Sequence, residues 1–168
     1  ALFSMPPATH PLSSAFLALD SILFQGQNSL LNQKLVLEER LCFDIGGGSY
    51  LRKLDSAYMF YFMPVSADSS SKIIHTFKET LIALKNHPHL DDLLKKARLF
   101  ILTNHYKDLQ KVDGLSKTLG WGYVIKEPKF GFELYNKVET LTKQELLEAV
   151  DWLLQQEVAV FLLNPTKK

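Results

Sequence analysis

Cysteine is nearly missing: Cys42 stands alone, which excludes an intrachain disulfide and any zinc knuckle built on several thiolates. That scarcity says little about compartment, because exported proteins also occur without disulfides. Charge of one sign is missing too. Nineteen Lys and Arg face eighteen Asp and Glu, a formal charge of +1, which argues against a nucleic-acid binder working through a broad basic surface. No apolar run approaches the roughly 20 residues of a membrane-spanning helix, so membrane insertion is not expected. Internal repeats and low-complexity tracts are absent. The chain opens at Ala1 without a methionine, and Ala1-Leu2-Phe3-Ser4-Met5 reads as a strand entered part-way, as in a trimmed or processed protein; no signal peptide is visible.

What is present is ordinary for a soluble globular protein. The 168 residues are 46% hydrophobic and 22% charged, enough to bury a sizeable core in one compact domain. Residues 1–8 read as extended and end at Pro6-Pro7. Leu12, Phe16, Leu19 and Leu23 then recur at helical spacing, with Pro11 in a first turn and Gly26 as the stop. Asn28 is a candidate cap for a second helix to about Glu39, with Leu31 and Leu35 inward.

Strand signals follow. Leu41, Phe43 and Ile45 alternate with Cys42 and Asp44, as in a half-buried strand that Gly46-Gly47-Gly48 breaks. Ala57 to Val65 is apolar and aromatic at successive positions, which predicts a central strand or one covered on both faces. After the loop Asp68-Ser69-Ser70-Ser71, Ile74, Phe77, Leu81 and Leu84 mark a helix that stops at Asn86-His87-Pro88. Residues 98–103 tempt a strand assignment, but Leu90, Leu94, Ala97 and Ile101 keep helical steps and predict one helix from Pro88 to about Leu109. Shorter helices are expected over 114–125 and 128–138. Thr142 and Glu145 form a capping-box pattern before a helix with Leu146, Val150 and Leu153 or Leu154 inward. Val158 to Leu163 reads as a buried final strand closed by Asn164-Pro165. The order predicts an α+β fold with helices layered on the sheet.

The residues offer no complete catalytic set. His10, His75, His87, His89 and His105 form neither His-x-x-Glu-His nor His-Glu-x-x-His. His75 and Glu79 are an i,i+4 pair, read here as a helix face. His87 and His89 with Asp91 and Asp92 look like a ligand cluster, but the aspartates also suit a helix N-terminus, and helix entry is the favoured reading. The glycine run lacks the Lys-Ser/Thr of a phosphate loop, and no nucleophile elbow surrounds the serines at 69–71. Cys42 reads as packing, and Trp121, Tyr123 and Phe130 as core or interface.

The order of motifs, however, resembles the second half of M16 zinc peptidases (the pitrilysin, insulinase and processing-peptidase family). The corresponding residues begin with His10-Pro11 and Ala15 to Leu23, and continue through Gly26-Gln27-Asn28-Ser29-Leu30-Leu31 and Lys34 to Phe43. Asp55 to Met63 is similar to a family strand, Leu93 to Arg98 to a weakened family helix, and Val138 to Leu146 to its linker and helix. Val158 to Pro165 is similar to its closing strand. The resemblance covers nearly the whole chain, as a single M16-type domain over residues 1–168.

The resemblance implies a LuxS/MPP-like metallohydrolase fold, mostly antiparallel sheet with helices layered on it. It implies a substrate-enclosing, non-catalytic half. Zinc and the inverted His-x-x-Glu-His motif belong to a catalytic half, fused or separate, that closes with this one around a peptide. A scaffold or binding subunit on the same fold is the alternative. Many members place an Arg and a Tyr seven residues apart to hold substrate; those positions fall here on Val36 and Phe43. Valine cannot donate the charge-assisted bonds of a guanidinium, and phenylalanine lacks the hydroxyl. No catalytic residue, metal ligand or cofactor is therefore expected in this chain. Self-association through an exposed face is a further expectation. An exported, periplasmic setting is expected, with a mitochondrial one as the alternative.

Overall fold

The structure is a computed structural model and describes residues 1–163. Strand β1, Leu2–Met5, is followed by helix α1, Ser13–Phe24. The stripe Leu12, Phe16, Leu19 and Leu23 is buried, and so are Ala15, Ala18 and Ile22 off that stripe. A helix apolar nearly all round must be covered nearly all round. α1 accordingly lies between the sheet on one side and helices α3 (Leu90–Leu109), α5 (Phe130–Thr140) and α6 (Lys143–Gln155) on the other. Gly26, at φ +80°, turns the chain just beyond it.

The next helix differs from the sequence expectation. Asn32–Glu38 is a wide π-type turn, in which the Glu39 N–H reaches the Lys34 carbonyl at 2.9 Å. Leu31 and Leu35 do point inward. Asn28 does not cap it; Asn32 Nδ2 and Gln33 Nε2 donate instead to the Gln27 carbonyl, at 3.0 and 2.9 Å.

Strands β2, Cys42–Tyr50, and β3, Ser56–Pro64, form an antiparallel pair in a sheet ordered β2-β3-β1-β4, with β4 at Val158–Ala159. Two expectations are corrected here and a third holds in one of its two forms. Gly46-Gly47-Gly48 does not break β2, because these are the places where neighbours press on its backbone. A Cβ at Gly46 would enter the Tyr61 ring, and one at Gly47 would meet the Met59 carbonyl and the Phe24 ring. Second, the inward set is shifted. A bulge between Cys42 and Asp44 leaves Phe43 as the extra residue, so Cys42 is buried while Phe43 is 68% exposed. Third, β3 is an interior strand as expected, but this chain covers one of its faces. Tyr58 and Phe60 are fully buried, whereas Tyr61 and Met63 on the other face are 52% and 59% exposed.

The covered face carries helix α2, Ser70–Lys85, entered through a short 3-10 turn at Ala67–Ser69. Phe77 stacks on Phe60 with centroids 4.9 Å apart and on Phe3 at 5.3 Å. Burying such a ring stabilises the fold by roughly 1.5–3 kcal/mol. α6 joins the same layer: Lys85 Nζ meets Asp151 Oδ1 at 2.6 Å, and Trp152 Nε1 donates to the Ser4 carbonyl at 3.4 Å. The capping box at its start forms as expected, with the Glu145 N–H donating to Thr142 Oγ1 at 3.2 Å and the Thr142 N–H to Glu145 Oε2 at 2.7 Å.

α3 is one helix over Leu90–Leu109, and α4 (Val112–Ile125) and α5 complete the outer layer. The last expectation is corrected: β4 covers two residues of the expected 158–163 strand, and Phe161 to Leu163 are exposed rather than buried. The Asn164-Pro165 stop lies outside the described residues.

Candidate functional site

The candidate surface is the uncovered face and free edge of the sheet. β2 is the outermost strand, so the main-chain groups on its side away from β3 have no strand partner among the described residues. The wide turn sits beside β2 and leads into it through Arg40, whose φ of +51° is left-handed. The Leu41 N–H closes this link on the Leu35 carbonyl at 2.8 Å, and the Val65 N–H extends the β2–β3 ladder to the Leu41 carbonyl at 2.9 Å.

This linkage decides where the two resemblance-derived positions fall. Val36 lies in the wide turn, half-buried against the core. Phe43 lies at the bulge with its ring in solvent. By strand alternation it shares the uncovered face with Tyr61 and Met63. The face is thus mainly apolar and aromatic, with the exposed Asp44 standing across from Met63. Between the wide turn and α2, Lys34 pairs with Glu38 at 3.2 Å and with Glu39 at 3.7 Å, and Lys72 reaches Glu39 at 3.7 Å.

Behind the same strand is a buried polar cluster that spacing did not reveal. Asp20 Oδ2 on α1 accepts bonds from the Ser49 N–H and hydroxyl on β2. Burial pushes the Asp20 carboxyl up to about 6, against the opposing effect of the Ser49 hydrogen bonds. Tyr58 lies alongside; its phenol is pushed well up by burial and then by the Asp20 charge. A visible signal was the acid itself, set in a helix otherwise apolar on most sides. Its partner, 29 residues away, had no signal.

The histidine candidates separate. His75 and Glu79 meet at 3.2 Å on an exposed helix face. His87 and His89 stand with ring centroids 6.2 Å apart at the entry to α3, where His89 pairs with Asp92 at 3.7 Å while Asp91 faces Lys143 at 3.5 Å. Among the described residues no three His, Cys, Asp or Glu side chains come together to hold a metal ion. Zinc therefore does not fit this part of the molecule. Burial pushes the Cys42 thiol up to about 11, which makes it an inert packing group. Trp121 stacks obliquely on Phe130 with centroids 5.6 Å apart, whereas Tyr123 is exposed. No helix among the described residues is long and apolar enough to cross a membrane.

An antiparallel sheet with helices on one face and no metal-binding group is the architecture of the non-catalytic domains of M16 peptidases. Residues 2–99, more than half of the chain, match the family described as the peptidase M16 inactive domain. The chain belongs to this family. Solved structures agree in fold. The inactive peptidase domain of a candidate zinc protease from Bordetella parapertussis superposes with a TM-score of 0.79 at 18% identity, over 91% of this chain and 83% of that one. A protease from Helicobacter pylori gives 0.77 at 16% identity, over 89% of this chain but 36% of its own length. The periplasmic protease PqqL from Escherichia coli gives 0.66 at 11% identity, over 90% of this chain and 17% of its own. The chain thus spans about a third or less of these last two proteins. Among curated proteins, none matches the sequence.

Proposed function

We propose that residues 1–168 form a single M16-type domain that serves as the substrate-enclosing, non-catalytic half of a zinc metallopeptidase. The observation that carries this reading is the uncovered sheet face: Phe43, Tyr61 and Met63 present aromatic and thioether surface beside a free strand edge. Exposed apolar groups of this kind mark a surface that meets another molecule. Here that molecule is a peptide in a chamber closed by a catalytic M16 half, fused or separate. Apart from the Ser49 N–H, which Asp20 takes, the edge of β2 offers main-chain donors and acceptors to an extended peptide, and the side chains of the face supply apolar contact. Zinc and the water-activating carboxylate belong to the other half.

Val36 and Phe43 stand at the substrate-holding positions. Neither provides a polar group there, so this half contributes enclosure rather than transition-state bonds. The same substitutions favour, as the second reading, a scaffold subunit that binds without cutting. Zinc content and cleavage of an unstructured peptide, measured on this chain alone and with a catalytic M16 half, separate the two. Zinc and cleavage in the pair, with neither in this chain alone, are expected. A pair that holds the peptide but does not cut it would establish the scaffold reading, and a pair that neither holds nor cuts it would overturn both.

A further inference from the structure

A cavity of about 310 Å3 lies between the end of α1 and the first half of α3. That volume is at the small end of the range for ligand sites, about 300–1,000 Å3. Its walls divide by chemistry. Ile22, Leu93 and Phe100 are apolar, and Lys96, one turn before Phe100, is the single charged group. Lys96 makes no ion pair among the described residues; Asp92, one turn earlier on the same helix, is engaged with His89 at 3.7 Å. The other polar groups are the hydroxyls of Ser21 and Ser29 and the side-chain amides of Gln25 and Asn28, and neither amide has a hydrogen bond within the described chain. Ser29 is the decisive one. It is 5% exposed, and its hydroxyl is buried with no partner. A buried hydroxyl left unpaired destabilises the fold, so this one stands as a donor held for a group that enters the cavity. Asp20 and Asp108 line the neighbouring cavity together with Lys117, and no acid among the described residues lines this one.

We infer that this cavity binds a small phosphate monoester, its phosphate at Ser29 and Lys96 and its organic part against Leu93 and Phe100. One unpaired cation with no carboxylate beside it favours an anion. Hydrogen bonds from the hydroxyls and amides to a charged acceptor are stronger than those to a neutral one. The number of donors selects phosphate over carboxylate. Two hydroxyls, two amides and an ammonium offer more O–H and N–H groups than the roughly four lone-pair sites of a carboxylate accept, whereas a phosphate monoester presents a third strongly accepting oxygen. The carbonyl end of α1 opposes an anion here and the amino end of the turn that follows Ser29 favours one, so the helix ends leave the choice to the side chains. The site is separate from the sheet face, and it does not rest on the function proposed for that face.

The test uses phenyl phosphate, titrated by calorimetry into the whole chain, with benzoate and phenol as the carboxylate and the uncharged comparison. Phenyl phosphate is expected to bind, benzoate roughly tenfold more weakly, and phenol more weakly still. Lys96→Gln is expected to weaken phenyl phosphate roughly fivefold, as loss of an exposed ion pair would. Ser29→Ala is expected to weaken it roughly tenfold, as loss of a bond to a charged group would. Without ligand, Ser29→Ala should unfold at the same temperature as the wild type or higher, because its hydroxyl bonds to nothing in the fold. A clear loss of stability in that variant would show that the hydroxyl serves the fold and would overturn the inference. So would phenyl phosphate failing to bind at millimolar concentration, phenol or benzoate binding as tightly, or either substitution leaving its binding unchanged.

Discussion

Asp20 and Ser49 join the buried helix to the outermost strand: Asp20 Oδ2 accepts the Ser49 N–H at 2.9 Å and the Ser49 hydroxyl at 2.5 Å. Gly48 makes room for this contact. Its φ is +147°, and a Cβ there would lie 3.2 Å from Asp20 Oδ2. The Tyr58 hydroxyl is buried beside the same carboxyl group. The outermost strand is thus tied to the helix behind it through one carboxyl group.

The carboxyl gives a pH dependence with a definite sign. Its folded-state value of about 6 exceeds the ordinary 3.8, so the folded protein holds a proton that the unfolded chain has released. The resulting stabilisation is complete below about 3.8 and is lost as pH rises through about 6. Over that window the loss amounts to at most about 3 kcal/mol. Urea unfolding of the wild type and of Asp20→Asn across this range is expected to differ by a curve falling with pH. Parallel curves would show that Asp20 titrates normally.

Gly47→Ala is expected to cost about 2–4 kcal/mol, because its Cβ would run into the Met59 main chain, which cannot move without parting β2 from β3. Gly46→Ala meets instead the free end of the Tyr61 side chain, which can swing away. The glycine at 46 should therefore be the more tolerant of the two in thermal unfolding.

Thr142→Ala removes the hydroxyl side of the capping box on α6, leaving the main-chain N–H of residue 142 bonded to Glu145, and is expected to cost about 1 kcal/mol. The Thr142 hydrogen bonds hold the Glu145 carboxyl below its usual range, so their contribution is present above the ordinary carboxylate value and disappears as pH falls through the depressed one. Chemical denaturation of wild type and variant at neutral and at strongly acidic pH checks this; the difference should shrink in acid.

Replacing Phe43 and Tyr61 together by serine tests the sheet face. Both rings are more than half exposed, so the unfolding midpoint should scarcely change. When the chain is paired with a catalytic M16 half, KM for a peptide is expected to rise at least about tenfold with kcat nearly constant. That is the pattern for contacts made equally in ground and transition states. An unchanged KM would remove this face from substrate binding.

Much of the fold was legible because local patterns had few solutions. Leu12, Phe16, Leu19 and Leu23 could share a face only on a helix, and Thr142 with Glu145 marked the start of α6 without reference to anything distant. The steps from Leu90 to Ile101 likewise outweighed the strand-like composition of 98–103. The absence of an inverted zinc motif was equally a property of residue order. The remaining features depended on what lies across the chain from each residue. The glycine run reads as an interruption until Tyr61, Phe24 and Asp20 are seen against it. Phe43 follows the inward alternation until a bulge, set by pairing with β3, turns it to solvent. Aromatic residues at successive positions of β3 do not tell which face a helix will cover, and the positions of α1 and α2 made that choice. The cavity beside α3 and the Asp20–Ser49 bond arise because tertiary packing brings together side chains whose separation in the chain carries no periodic signal.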